Sequence, residues 1–284
     1  MFHMANVLKS SKRTAVVAAL CEGNSINSTV RMTGVAKTTI LRLLVDLGDA
    51  CASYQDKALR DLTCERLQID EIWSFCYAKQ KNVPEAMRGT FGYGDVWTFA
   101  AIDADTKLIP SFLVGSRDAG CATELMQDLA GRLRGRAQIT TDGHNMYPIA
   151  VEDAFGGDVD FAQLIKSYAN APSGPEVRYS PAVCTGAEKR AITGEPAPEH
   201  ISTSYIERQN LTMRMSIRRF TRLTNAFSKK VENHAAHVAI HFFFYNFCRP
   251  HASLGGKTPV QAAGVDSRRW TVADLVGLLD NSKN

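Results

Sequence analysis

No C-x-x-C pair occurs among the seven cysteines of the sequence: Cys21, Cys51, Cys64, Cys76, Cys121, Cys184 and Cys248. That spacing argues against zinc ribbons and disulfide frameworks, and reduced, buried thiols are the expected state. No apolar run reaches the roughly 18 residues of a membrane span, and "MFHMANVLKSSKR" lacks the apolar core of a secretion signal. A cytoplasmic protein without a membrane segment is therefore expected. Internal repeats and low-complexity tracts are also missing, which excludes solenoid and fibrous classes.

Neither sign of charge is scarce: 33 Lys+Arg stand against 29 Asp+Glu, a net of +4. The balance conceals a pattern. Residues 1–60 carry eight basic and four acidic side chains, residues 61–170 ten and sixteen, and residues 200–257 nine and two. An acidic middle between basic flanks suits a polyanion gripped by the flanks and a metal ion held between them. With 45% hydrophobic and 22% charged residues, the composition is that of an ordinary globular protein. Its 284 residues allow one sizeable core plus a small appended module.

Helical signals fill the first 60 residues. "SSKRTAVVAALCEG" ends at Gly23, and "SINSTVRMTGVAKTTILRLLVDLG" reads as two helices split by Gly34 and ended by Gly48. The second pair resembles a helix-turn-helix, with Lys37, Thr38, Thr39 and Arg42 on the exposed face of the helix that would enter the major groove. From Cys64 the period changes to two. "ERLQIDEIWSFCYAK", "DVWTFAAIDAD" and "KLIPSFLVGS" read as an antiparallel meander, and helix, strand, helix and strand follow. This β-β-β-α-β-α-β order is that of the ribonuclease H-like fold. The expected organisation is a helix-turn-helix domain over 1–60, a mixed α/β, ribonuclease H-like catalytic domain over 61–255, and a C-terminal tail over 256–284. Residues 171–200, rich in Pro and Gly, read as a long loop inserted in the catalytic domain.

Three acids stand out by placement. Asp70 falls inside the first strand between Ile69 and Ile72, where a charge is costly unless a cation is bound; a solvated edge strand is the competing reading. Glu71 alternates to the opposite face and is the weaker ligand candidate. Asp142 closes "AQITTD" at the carboxyl end of a strand, where α/β sheets gather chemistry, although a plain Asp-Gly turn reads the same way. Glu207, in "SYIERQNLTMRMSIRRF", stands three residues after Ser204, the spacing of a capping box. It also opens an arginine-rich helix. At about 100° per residue, Glu207, Asn210, Arg214 and Arg218 share one stripe, and Ile206, Met213, Ile217 and Phe220 share another.

One stripe packs and the other offers cations: Arg214 and Arg218, with Arg219, Arg222, Lys229 and Lys230 nearby, are placed to contact phosphates, unless this is only the solvated face of a structural helix. Carboxylates on separate elements are what Mg²⁺ or Mn²⁺ needs, and two ions about 3.5–4 Å apart serve phosphodiester chemistry. His144, beside Asp142, either positions a nucleophile or phosphate or caps the turn. His234, His237 and His241 share a helical face without a fourth ligand, so packing and phosphate contacts are expected of them rather than a metal site.

"IDEIWSF", "TTDGHNMY" and "SYIERQNLTMRMSIRRFTRLTNAFSKK" closely resemble bacterial insertion-sequence DDE transposases, most of all those of the insertion-sequence-one family. "YNFCRPHASLGGKTPVQAA" is similar to the closing segment of many such recombinases, and the resemblance spans residues 5–265. It implies Asp70, Asp142 and Glu207 as catalytic metal ligands and Arg214, seven residues after the glutamate, as a phosphate contact supported by Asn210. It further implies Mg²⁺ or Mn²⁺, double-stranded DNA ends and target DNA as partners, and a homo-oligomer. The zinc-binding segment of the family's best-known members is not expected, because suitable cysteine spacing is missing. A ribonuclease H-like nuclease that does not join strands, and a non-enzymatic DNA-binding regulator, are the alternatives.

Overall fold

The computed structural model describes residues 8–169, 183–222 and 224–281. It opens on three helices, α1 (Ser10–Cys21), α2 (Ile26–Thr33) and α3 (Lys37–Ala58). The Ser25 hydroxyl accepts the Ser28 amide at 3.1 Å to start α2, and Gly34, in the left-handed region at φ 70°, ends it. Three residues later α3 begins. It does not stop at Gly48, as the sequence led us to expect, but runs ten residues further. A Cβ at Gly48 would lie 2.4 Å from the Ala236 Cβ, so this glycine permits a close helix crossing rather than a helix end. Gly48→Ala is therefore expected to destabilise the chain by about 1–3 kcal/mol despite alanine's better helix propensity, readable as a lower urea midpoint.

The sheet has six strands in the order β3-β2-β1-β4-β5-β6. These are β1 (Arg66–Cys76), β2 (Gly94–Asp103), β3 (Phe112–Gly115), β4 (Gln138–Asp142), β5 (Asp160–Tyr168) and β6 (Cys184–Thr193). The first three form the expected antiparallel meander, whereas β4 pairs parallel to β1 and β5 parallel to β4. Parallel neighbours need crossovers, supplied by α4 (Ala119–Ala130) and α5 (Met146–Phe155). This mixed sheet is consistent with the ribonuclease H-like order.

Two expectations change. Within 171–200, read as a loop, residues 184–193 form β6 and pair antiparallel with β5; residues 171–182 lie outside the described residues. The segment 256–284, read as a tail, contains α8 (Pro259–Ala262) and α9 (Val272–Asn281). Leu275 and Val276 of α9 share one buried cluster with Val16 and Leu20 of α1 and with Leu44 and Leu47 of α3. Paired apolar faces, not chain proximity, decide that contact.

Both sheet faces are covered. Leu67, Ile69, Phe99 and Ile139 pack with Leu125, Leu129 and Val151 of the crossover helices. On the other side Ile72, Ala100 and Ile102 meet Ile206 and Met213 of α6 (Ser204–Ser216) and Val238 and Phe242 of α7 (Val231–Phe243). Asp70 pairs with Ala100 of β2 and is largely desolvated, which disfavours the solvated-edge reading although the β4 neighbour ends at Ile69. Among the described residues no helix is long and apolar enough to cross a membrane, and Cys21, Cys51, Cys64, Cys76 and Cys248 are buried and unpaired.

Candidate metal centre

The parallel pairing of β1 with β4 ends at Ile69 opposite Thr141. Asp70 and Glu71 are the first residues beyond it, and Asp142 is the last of β4. Carboxylate oxygens of Asp70, Glu71 and Asp142 lie within 4.8 Å of one another. Glu71, assigned from strand alternation to the opposite face, is thus brought into the group, because its longer side chain reaches past the end of the short neighbouring strand. Its carboxylate is buried and fully engaged: Arg117 Nε donates to Oε1 at 2.7 Å, and the Tyr147 hydroxyl donates to Oε2 at 2.6 Å.

Asp142 is set by its turn. Its Oδ1 accepts the His144 amide at 3.0 Å, and Gln163 Nε2 donates to the Asp142 and His144 carbonyls at 3.0 Å each. Gly143 is needed for space, since a Cβ there would sit 2.9 Å from Ile165 Cγ1. His144 Nδ1 accepts the Met146 amide at 3.3 Å, so of its two readings the structure displays the turn contact.

Helix α6 reaches the group through Asn210, whose Nδ2 donates to Asp70 Oδ2 at 2.9 Å. The capping-box reading of Ser204 and Glu207 does not hold. Gln68 of β1 caps this helix instead, its Oε1 accepting the Tyr205 and Ile206 amides at 2.8 and 3.2 Å. The acid strand and the helix start are thereby tied together two residues before Asp70. Glu207 accepts the Thr203 hydroxyl at 2.6 Å and pairs with Lys166 of β5. It stands one turn before Asn210 but outside the 4.8 Å group.

Burial first, then the Glu71 charge, push the Asp70 carboxyl up to about 7, although the Glu71 amide donated to its Oδ1 works the other way. Asp142 is raised for the same two leading reasons. A cation would relieve the repulsion between crowded, desolvated carboxylates of this kind. The residues fit a hard divalent ion: all three are oxygen donors, and the buried Asn210 Oδ1 has no hydrogen-bond partner among the described residues.

No protein-family model and no curated protein matches the sequence. Among solved structures, the chain is similar to a piggyBac transposase in a synaptic complex with hairpin DNA. The likeness has a TM-score of 0.40 and 12% identity, over 96% of this chain and 70% of that one.

The basic candidates separate into three groups. Lys37, Arg218, Lys229 and Lys230 line one cleft of about 520 Å³ between the start of α3 and the segment after α6. Arg214 and Arg222 line a second, of about 820 Å³, beside the open edge of β1. Arg214 is half-buried, and burial followed by the Arg222 charge lowers its pKa. Arg219 touches both clefts but is held inside, its Nε donating to His237 Nδ1 and its Nη1 to Ser228 Oγ, both at 3.1 Å. Arg219, expected as a phosphate contact, thus has two of its nitrogens engaged within the chain; α6 ends at Ser216, and the turn at Ile217 carries Arg218 off the Glu207 stripe. Lys37, Thr38 and Arg42 are exposed and Thr39 is half-buried.

The three helix histidines are packed. His234 lies between Ser74 and Ser228, and burial pushes His234 and His241 down to about 3. Arg117, Tyr147, Gln68 and Lys166 were missed in the sequence, and Glu71 was ranked the weaker ligand candidate. Glu71 alone carried a signal, as a second acid beside Asp70; the others share no local pattern.

Proposed function

We propose that this chain is a DDE-type DNA transposase that cleaves phosphodiesters at element ends and transfers the strand to target DNA. The observation that carries the reading is the meeting of Asp70 and Asp142 in a buried carboxylate group whose Asp70 is held by Asn210, one turn after Glu207. Asp70, Asp142 and Glu207 are the proposed metal ligands. Held by these three carboxylates, Mg²⁺ or Mn²⁺, as a pair of ions, would supply Lewis acidity at the phosphodiester. The chain's own residues do the rest. Asn210 holds the Asp70 carboxylate, Lys166 gives Glu207 a counter-charge in the metal-free chain, and Arg214 and Arg222 bind phosphate.

Lys37, Thr38, Thr39 and Arg42 are proposed to read duplex DNA as a helix-turn-helix over residues 1–60. Arg218, Lys229 and Lys230, lining the cleft that Lys37 shares, extend that surface. Synapsis of two ends calls for a homo-oligomer, and membership of the insertion-sequence-one family remains part of the same proposal.

Incubation with Mg²⁺, labelled element-end DNA and a target plasmid tests the reading. Cleavage and joined product are expected. Cleavage without joining identifies a ribonuclease H-like nuclease, and DNA binding with neither activity identifies a regulator. Asp70→Asn, Asp142→Asn and Glu207→Gln are each expected to lower cleavage by at least about a hundredfold while duplex binding stays within about twofold. Undiminished cleavage by one of them removes that residue from the site.

A further inference from the structure

The end of strand β1 and the residue after it, Tyr77, turn an aromatic row outward where a core row is normal. Trp73 is 38% and Tyr77 39% exposed, with Phe75 half-buried between them. Phe75 and Phe227 lie 4.8 Å apart between ring centroids, at an interplanar angle of 32°. These four rings line the cleft of about 820 Å³ together with Arg214 and Arg222. Aromatic faces alternating with guanidinium groups are the recognition chemistry of a nucleobase and its phosphate, not of an apolar peptide.

The position of the cleft is as telling as its lining. Trp73 lies three residues, about 10 Å of strand, beyond Asp70. On the other wall, Arg214 stands one turn after the Asn210 that bonds Asp70, and the Asp70 charge acts on Arg214. The shielded Nη2 of Arg219, between the two clefts, has no hydrogen-bond partner among the described residues. A base inside a duplex has both faces covered by its neighbours, so only an unpaired nucleotide can offer a face to these rings.

We propose that this cleft binds an unpaired nucleotide of the DNA strand next to the bond at the acids, the base stacked on the exposed Trp73, which Phe75 and Phe227 back, and its phosphate on Arg214 and Arg222. The inference rests on the transposase reading for the identity of the strand. It concerns a step of binding, so its test uses no metal and no cleavage.

Full-length protein in EDTA is titrated with a short single strand, with its duplex, and with the single strand carrying one base-free position scanned along it. Tryptophan fluorescence and anisotropy report binding. Quenching by the single strand, lost at one base-free position, is expected. Trp73→Ala and Phe227→Ala are each expected to weaken single-strand binding about tenfold, Trp73→Phe is expected to retain it, and duplex binding should not change in any of them.

Equal single-strand affinity of Trp73→Ala and the native chain overturns the proposal, and so does a change in sedimentation of Trp73→Ala without loss of single-strand affinity, which would make the row a contact between copies. If the native chain cleaves element ends yet shows no base-dependent quenching, the cleft fails and the transposase reading stands. If it binds no DNA of either form, both fail.

Discussion

Asp70→Asn is expected to raise the melting temperature of the metal-free chain and to abolish the further rise that Mn²⁺ gives the native protein. The Asp70 carboxyl is pushed up to about 7 from 3.8, chiefly by burial and then by Glu71. Below about pH 3.8 the group is protonated in both the folded and unfolded chain. As pH rises through about 7 the folded chain holds a proton that the unfolded chain has released, and the stability this contributes at low pH is lost.

At pH 8 the native carboxylate therefore costs on the order of 2–4 kcal/mol, which asparagine avoids. Several degrees of melting temperature should separate the two metal-free proteins at pH 8, and little at pH 4. Saturating Mn²⁺ stabilises the native chain by its binding free energy, and below pH 7 its uptake must expel a proton, so apparent affinity should fall by up to about tenfold per pH unit. Thermal melts at the two pH values, with EDTA and with Mn²⁺, read all of this. A variant that still shows the native Mn²⁺ shift would take Asp70 out of the metal centre.

Removing the guanidinium of Arg117 should cost about 3 kcal/mol in urea unfolding, the penalty of a buried carboxylate left without its partner. The Glu71 side chain is 1% exposed and its partners among the described residues are Arg117 and Tyr147, while Arg117 is 37% exposed and stacks over Trp97 with its guanidinium 4.5 Å from the ring. Arg117→Ala leaves the buried Glu71 carboxyl group without its cation beside Asp70 and Asp142. Glu71→Gln combined with Arg117→Met should recover most of the loss, because the charge that needed a partner is gone. The same pair separates two roles for Glu71. If the double variant also keeps Mn²⁺ affinity within about threefold, Glu71 supports the site from behind; a loss of tenfold or more makes it a ligand.

Much of the fold was legible because its signals are local. Period two marks β1, "AQITTD" reads as the short strand β4, and Ile206 and Met213 of the apolar stripe are buried as their helical spacing implied. Gly48 was misread because a glycine that ends a helix and one that lets two helices touch look alike until the second helix, with Ala236, is in place. The strand β6 escaped notice because its ten residues are nearly all exposed, so no apolar alternation marks them, and its order comes from hydrogen bonding to β5.

The site divides along the same line. By itself the sequence determined which residues carry charge and on which element each sits: an acid in the first strand, one at the end of the fourth, one in a basic helix. Only the tertiary structure decided which acids meet. The β4 pairing stops at Ile69, and that stop turns Glu71 toward Asp70 and Asp142. Gln68 caps α6 across 137 positions of sequence, and Lys166 takes the Glu207 carboxylate that a capping box would have claimed. Spacing along the chain encodes helix faces and strand faces, since those repeat within a few residues. The distance between two carboxylates, and the cation each is given, depends on where strands end and helices cross, and folding alone brings those together.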